Sequence, residues 1–319
     1  MSVARFAAES VESSRAKRTP LGDAIQQLRR NKAAMASGVF IVILMLTAIF
    51  ADVLAPYDPA ATHLRDNYAL PGAEYWLGAD NLGRCILSRV LHGIRVSMSV
   101  ALIAATVSLS IGLVYGLVSG YAGGRVDDIM MRLVDFLYGF PTLIVIILFQ
   151  AYFKALGRES DVTAFVKFML DIDRALGGLL FVFIVMGGLR WIGMARLARG
   201  QVLSYKEKEF VVAARSLGAR PQRIIFKHLL PNILGPCIVQ ETLQIPGYIL
   251  TEAFLSFIGL GVNPPTPSWG MMIQQGFQAL RSYPHVLFAP AGALALTVLA
   301  FNFLGDGLRD AFDPRMRGT

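Results

Sequence analysis

Long uncharged apolar runs are the feature that most constrains how this 319-residue chain can fold. Residues 33–51 and 96–124 contain no Asp, Glu, Lys or Arg. A helix needs about 20 apolar residues to cross a bilayer. Charged residues make up 16% of the chain, whereas soluble domains carry about a quarter. The sequence therefore predicts an all-α integral membrane protein.

Six transmembrane helices are predicted, at 33–53, within 96–124, and at 133–153, 176–194, 233–256 and 285–305. Lys and Arg are enriched at both ends of the chain and in the loop 196–231, which places both termini and that loop in the cytoplasm. Kinks are expected at Pro141 and at Pro246. Arg190 makes 176–194 the weakest span, because this side chain must reach the inner interface or face protein.

The spans divide the chain into a cytoplasmic tail 1–32, a first helix with external segment 33–93, a core of five transmembrane helices 94–308 that includes the cytoplasmic loop 196–231, and a cytoplasmic tail 309–319. Gly22–Arg30 fits either a short amphipathic helix on the membrane or a solvated tail. The first span is expected to be a retained anchor, because the polar segment before it is long for a cleaved signal. Tyr75 and Trp76 are expected at the lipid headgroups. A short external helix is predicted over 162–170, and an external loop over 257–283.

Recognisable catalytic chemistry is missing from the sequence. It contains no Gly-x-x-x-x-Gly-Lys-Ser/Thr phosphate loop and therefore no recognisable ATP site. Its four histidines fall in separate segments, which argues against a metal cluster. Cys85 and Cys237 suggest neither a metal motif nor a disulfide. The net charge of +8 has a topological cause, so a nucleic-acid partner is not expected.

Polar side chains inside a span are candidates for function. Gln240, Glu241 and Gln244 lie together in the fifth predicted span and could line a polar pathway. The alternative is hydrogen bonding between helices. Glu252, nearer the outer end, is expected to reach water.

Two further features of the spans carry expectations about packing. Asp135 lies three residues from Arg132, so a local pair is expected rather than a substrate contact. The Ser and Gly residues within 96–124 are expected to allow close contact between helices in lipid.

The stretch Glu209–Pro231 predicts a helix, a glycine bend and a second short helix. Gly218 can adopt the left-handed conformation that ends a helix. Pro221 suits the first turn of the next helix, and Leu230 with Pro231 marks its exit. One side of the stretch is basic, through Arg215, Arg220, Arg223, Lys227 and His228. A charged side next to small residues predicts a docking site.

This stretch resembles the cytoplasmic signature loop of ABC-importer permeases. The residues on the pattern are Ala213, Ala214, Gly218, Leu230 and Pro231. Val212 and His228 depart from the general pattern. Glu209 matches the version carried by the dipeptide/oligopeptide subgroup.

Other segments resemble the same subgroup, which also includes nickel permeases. They are Trp76–Arg84, Leu255–Gly261, Pro264–Gly270, and Leu304–Asp310 with Asp313–Arg315. Together with the polar amino-terminal tail, these motifs identify the chain as a member of this subgroup, of the second-permease type.

The resemblance implies a type I ABC importer permease fold in a bacterial or archaeal cytoplasmic membrane. It implies a sister permease, two cytoplasmic ATPase subunits and an external solute-binding protein as partners, besides the lipid membrane. ATP and Mg would bind in the ATPases, with no cofactor on this chain. The signature loop would be a coupling helix seated on an ATPase, where Glu209 and Arg215 could pair across the contact.

The substrate stays open at this point, because related permeases carry dipeptides, oligopeptides, glutathione, nickel chelates and other small solutes. Two other classes are alternatives. An ion-coupled carrier acting alone would need a titratable site such as Glu241, and an assembly protein would not need the signature loop.

Overall fold

The computed structural model describes residues 20–157 and 162–312. The basic residues before Pro20 and the Asp313–Arg315 motif lie outside the described residues. So does most of the predicted tail 309–319.

The described chain is built almost entirely from helices. Up to residue 157 these are α1 Pro20–Arg30, α2 Lys32–Ile49, α3 Ala51–Leu54, α4 Ile86–Ala122, α5 Gly124–Tyr138 and α6 Thr142–Leu156. After residue 161 they are α7 Ala164–Ala175, α8 Leu180–Tyr205, α9 Glu209–Ser216, α10 Pro221–Arg223, α11 Leu230–Phe257, α12 Trp269–Ala279 and α13 His285–Phe312. A 3₁₀ turn spans Leu64–Asp66 and a π-helical turn spans Ile224–Leu229.

Four described helices, α2, α4, α8 and α13, are long and apolar enough to cross a membrane. A fifth span is obtained if α5 and α6, which meet at an angle of 73°, are counted as one bent crossing. The fifth predicted span, 233–256, forms α11, which is 28 residues long but lies outside this set. The all-helical membrane fold is confirmed, and the count of six stays a prediction.

Two of the predicted spans, 133–153 and 176–194, have different helix boundaries in the structure. The predicted span 133–153 is not continuous, because the chain bends between Tyr138 and Thr142. Pro141 precedes α6 at this bend, as expected for a residue that restricts its neighbour and cannot continue a helix. The predicted span 176–194 begins later, and its helix continues to Tyr205.

The external elements are partly as predicted. The short helix expected over 162–170 is confirmed as α7, which is longer. The expectation of a loop throughout 257–283 is wrong, since α12 occupies its second half. Ser268 begins α12 by accepting a hydrogen bond from the Met271 backbone at 3.3 Å.

Close packing of α4 on α8 forms the centre of the fold, and the glycines of α4 explain it. A Cβ atom added at Gly112, Gly116 or Gly120 would lie within 3.0 Å of α8. The side chains opposite these glycines are Met194, Ala198 and Val202, respectively. The expected packing role of the small residues is confirmed.

The amino-terminal stretch forms a helix, which confirms the first of its two alternatives as far as local structure goes. α1 packs on the end of α13, where Leu28 approaches Gly307. Contact of α1 with a membrane surface stays a prediction.

The segment before α4 is tied down by polar side chains. Arg95 donates to both carboxylate oxygens of Asp52, at 2.8 and 2.9 Å. These hydrogen bonds, followed by one from His92, hold the pKa of Asp52 below its ordinary value. Asp80 likewise pairs with Arg84 at 2.7 Å and with Arg89 at 3.4 Å.

Tyr75 does not lie at the headgroups as expected, because it is buried within this segment. Its hydroxyl donates to Asp66 at 3.0 Å, and burial raises the pKa of Tyr75 to about 12. Trp76 is exposed, as an interfacial residue should be. Cys85 and Cys237 are both buried free thiols.

Candidate functional site

The predicted signature loop folds as a helix, a glycine bend and a second helical segment. α9 ends at Ser216, and Gly218 has a φ of +80°, in the left-handed region that favours glycine. Pro221 opens α10 at its first turn. This part of the prediction is confirmed, and residues 209–229 are called the coupling element below.

One face of the coupling element is anchored in the protein. Val211, Ile224 and Leu229 are buried in a cluster with apolar residues from the ends of α4, α8 and α11. The other members of that cluster are Leu117, Val202 and Ile233. The element therefore stands on an apolar base instead of hanging as a flexible loop.

The opposite face of the coupling element exposes large apolar side chains. Leu217 is 88% exposed and Phe226 is 66% exposed, and Phe210 and Val212 are also exposed. Sequence reasoning missed these residues, because apolar type alone does not separate a buried position from an exposed one. Once Val211 is assigned to the core, its neighbours on so short a helix must face outward.

The residues named from the sequence surround this exposed face. Glu209, Ala213, Arg215, Gly218 and Pro231 are exposed, and Ala214 and Leu230 are partly buried. The pairing of Glu209 or Arg215 across a contact stays a prediction.

The expected exit at Leu230 and Pro231 is wrong, because the chain continues as helix into α11. The π turn joins the two, and the Leu230 backbone N–H donates to the Ile225 carbonyl five residues earlier. A proline ring collides with the carbonyl four residues before it in an α-helix. The wider π winding next to Pro231 accommodates the ring without ending the helix.

A cavity of about 520 Å³ lies where α11 faces α8 and the α5–α6 bend. The three polar residues named from the sequence, Gln240, Glu241 and Gln244, all line it. Tyr138, Thr142, Arg190 and Tyr248 are also among its lining residues. The predicted clustering is confirmed, and the use of the cavity as a pathway stays a prediction.

Glu241 also makes a helix-to-helix hydrogen bond of the alternative interpretation, through Ser108, besides one within its own helix. It is 5% exposed and accepts from Tyr248 at 2.6 Å and from Ser108 of α4 at 3.2 Å. The two interpretations therefore describe the same side chain.

Arg190 faces protein, the second of its two predicted alternatives. Its Nη2 donates to the Thr251 hydroxyl at 2.7 Å, and its guanidinium lies 5.2 Å from the ring centre of Tyr248. Sequence reasoning treated this residue as a cost to the span, but it is part of the cavity wall.

Glu252 does not reach water, so that expectation is wrong. It is 1% exposed and accepts hydrogen bonds from Ser97 at 3.0 Å and Ser256 at 2.7 Å. The reason is that α4 passes over this part of α11 and shields it.

The expected pair of Asp135 with Arg132 is also wrong, because Asp135 pairs with Arg196 of α8 at 2.6 Å. Asp127, on the same helix, accepts two bonds from Arg199, each of 2.6 Å, and one from Ser119. Asp127 and Asp135, two of the three acids of α5, thus bind arginines of α8, since the two helices run side by side.

Comparison with known proteins agrees with a membrane transport component. Residues 112–318 match the family described as binding-protein-dependent transport system inner membrane component. Residues 19–71 match the N-terminal TM domain of oligopeptide transport permease C. The chain belongs to the family of inner-membrane components of binding-protein-dependent transport systems, and it is a multi-pass permease subunit.

Curated relatives are similar along nearly their whole length. The chain is 40% identical to the oligopeptide transport system permease protein OppC of Bacillus subtilis over 92% of this chain and 90% of the relative. It is 41% identical to the dipeptide transport system permease protein DppC of the same organism, over 92% and 86%. It is 38% identical to the glutathione transport system permease protein GsiD of Escherichia coli O6:K15:H31, over 94% and 92%. These likenesses set aside the ion-coupled carrier and the assembly protein.

Proposed function

We propose that this chain forms half of the pore of an ATP-driven, binding-protein-dependent importer of peptides. The relatives at 38–41% identity are named for oligopeptide, dipeptide and glutathione transport, all of which are peptide substrates. The partners would be a sister permease, two ATPase subunits that hold ATP and Mg, and an external solute-binding protein.

The observation that carries the proposal is the two-sided coupling element. Exposed apolar side chains grouped together are typical of sites that bind another protein. Basic residues next to this face (Arg215, Arg220, Arg223 and Lys227) are exposed and would select an acidic rim on the partner. An ATPase groove of that character fits this surface.

The buried side of the same element explains how docking could move the pore. Rigid-body closure of a pair of domains is transmitted only through stiff contacts. Val211, Ile224 and Leu229 fix the element to the ends of the membrane helices. A push on the exposed face therefore reaches α11 and the wall of the cavity.

The experiment replaces Leu217, the most exposed large apolar side chain of the coupling element, with aspartate in the assembled importer. Because Leu217 contacts little of its own chain, the fold should persist while a charge must enter the apolar contact. Desolvating an unpaired carboxylate should weaken ATPase association by at least about tenfold and lower ATP-dependent uptake in parallel. Co-purification of ATPases with the tagged permease and uptake into proteoliposomes measure the two effects.

Leu64→Asp is the matched control, since this leucine of the external segment is 70% exposed. It should leave ATPase co-purification unchanged. Undiminished association in Leu217→Asp would contradict docking at this surface.

A further inference from the structure

Arg190 places a positive charge in the wall of the cavity, which Glu241 also lines, but the two groups do not lie within ion-pair distance. No ion pair involving Arg190 occurs within residues 20–157 and 162–312. In the same part of the chain its buried Nε has no hydrogen-bond partner. Buried donors in proteins are nearly always paired, so a guanidinium left in this state calls for a further partner.

The guanidinium is nevertheless held in a defined position. Thr251 accepts its only hydrogen bond found in the described chain, and Tyr248 lies beneath it at a distance typical of a cation–π contact. Tyr248 is itself fixed by its 2.6 Å hydrogen bond to Glu241. A short chain of contacts thus runs from Arg190 through Tyr248 to Glu241, and it orients the cation.

The remainder of the cavity is suited to a small polar solute. Its volume of about 520 Å³ falls within the range of ligand sites in proteins, about 300–1,000 Å³. The amides of Gln240 and Gln244 offer both donors and acceptors, which match peptide bonds. An arginine is the side chain best matched to a carboxylate, because it can donate two parallel hydrogen bonds.

We propose that Arg190 binds a free carboxylate of the transported solute in this cavity, with Tyr248 and Glu241 positioning the guanidinium. This inference rests on the proposed function, since it names the solute group that the pore recognises. The carboxylate at the end of a peptide is the ligand chemistry that fits. Arg190 then becomes a specificity-determining residue of the permease, separate from the selectivity of the binding protein.

The test compares uptake of trialanine with uptake of its carboxy-terminal amide by the complete importer in proteoliposomes. The rate for trialanine is divided by the rate for its amide, for the wild type and for Arg190→Gln. The binding protein's own preference is common to both importers and cancels when the ratios are compared. Arg190→Gln should lower the ratio by about tenfold, as expected for loss of a charge-assisted hydrogen bond.

Arg174→Gln is the matched control, because it removes the same charge from an exposed arginine of α7 paired with Asp171. Its ratio should equal that of the wild type. An Arg190→Gln importer that carries both peptides with the wild-type ratio, or loses both equally, overturns the inference.

A second variant keeps the test decisive where Arg190→Gln does not assemble. Gln244 is exposed to the cavity, so Gln244→Glu should insert normally and place a competing carboxylate near the guanidinium. The ratio should again fall, and an unchanged ratio overturns the inference. Failure of the wild type to import either peptide with ATP would instead contradict the proposed function.

Discussion

Glu241 and Glu252 lie on the same helix, eleven residues apart, but only Glu241 borders the cavity. Eleven residues are about three turns, so both side chains point to the same face of α11. Each accepts a hydrogen bond from a serine of α4, and those serines, Ser108 and Ser97, are also eleven residues apart. Antiparallel packing of α4 on α11 produces two matching rungs.

The difference between the rungs is access. Glu252 is enclosed between Ser97 and Ser256, and it is not among the residues that line the cavity. Glu241 makes bonds of the same kind and also borders the cavity. Burial of an acid is therefore not enough to identify a functional residue in a membrane helix, because the neighbouring empty volume decides whether a solute can meet it.

The largest expected effect is on stability and comes from replacing Glu252, the enclosed glutamate. Glu252→Ala leaves two buried serine hydroxyls unpaired and opens a void, which should lower the free energy of unfolding by about 3 kcal/mol. Equilibrium unfolding of the purified permease in mixed micelles measures this value. Glu252→Gln, which keeps both hydrogen-bonding positions, should recover most of it. A loss below about 0.5 kcal/mol in the alanine variant would show that the rung is not structural.

At the open rung the expected effect is on transport. In Glu241→Gln the amide can still hydrogen-bond to both Tyr248 and Ser108. The free energy of unfolding should therefore change by less than about 1 kcal/mol. Peptide uptake should fall by about tenfold, because the cavity loses the only carboxylate among its described lining residues. The rate of ATP-dependent uptake, normalised to folded protein, measures the effect. Unaltered uptake would make Glu241 a structural residue like Glu252.

The smallest effects should come from replacing Ser97 and Ser108, and they distinguish the enclosed glutamate from the one that borders the cavity. Hydrogen bonds between membrane helices contribute about 0.6 kcal/mol on average. Ser97→Ala and Ser108→Ala should each lower stability by about this amount. Only Ser108→Ala should also reduce uptake, by about twofold, since its partner borders the cavity. Equal uptake by the two variants would remove the distinction between the rungs.

Much of the coupling element could be predicted because its signals are local. A positive φ at Gly218 and a helix start at Pro221 follow from properties of single residues. The exit at Pro231 was wrong for a related reason. The usual rule ends a helix near a proline, whereas here the preceding turn changes to π winding and the helix survives.

The candidate cavity was only half predictable, since helix contacts decide it. Gln240, Glu241 and Gln244 are close in sequence and could be grouped without a structure. Arg190 joins them from another helix, and Glu252 is excluded from them by Ser97 of a third. Likewise Asp135 finds Arg196 on α8 instead of its neighbour Arg132. Long-range partners of this kind leave no mark in local sequence.

Under the proposed docking, the continuous helix after the glycine bend would act as a lever arm. From Pro221 the chain stays helical through the π turn to Phe257, so Phe226 of the exposed face and both glutamate rungs belong to one continuous helix. At the rise of an α-helix the rungs lie about 18 Å and about 35 Å beyond Leu229. A tilt imposed at the inner end of this helix would therefore grow with distance along it and reach the wall of the cavity. Movement of the ATPase subunits and the change in the cavity would then occur at the same time.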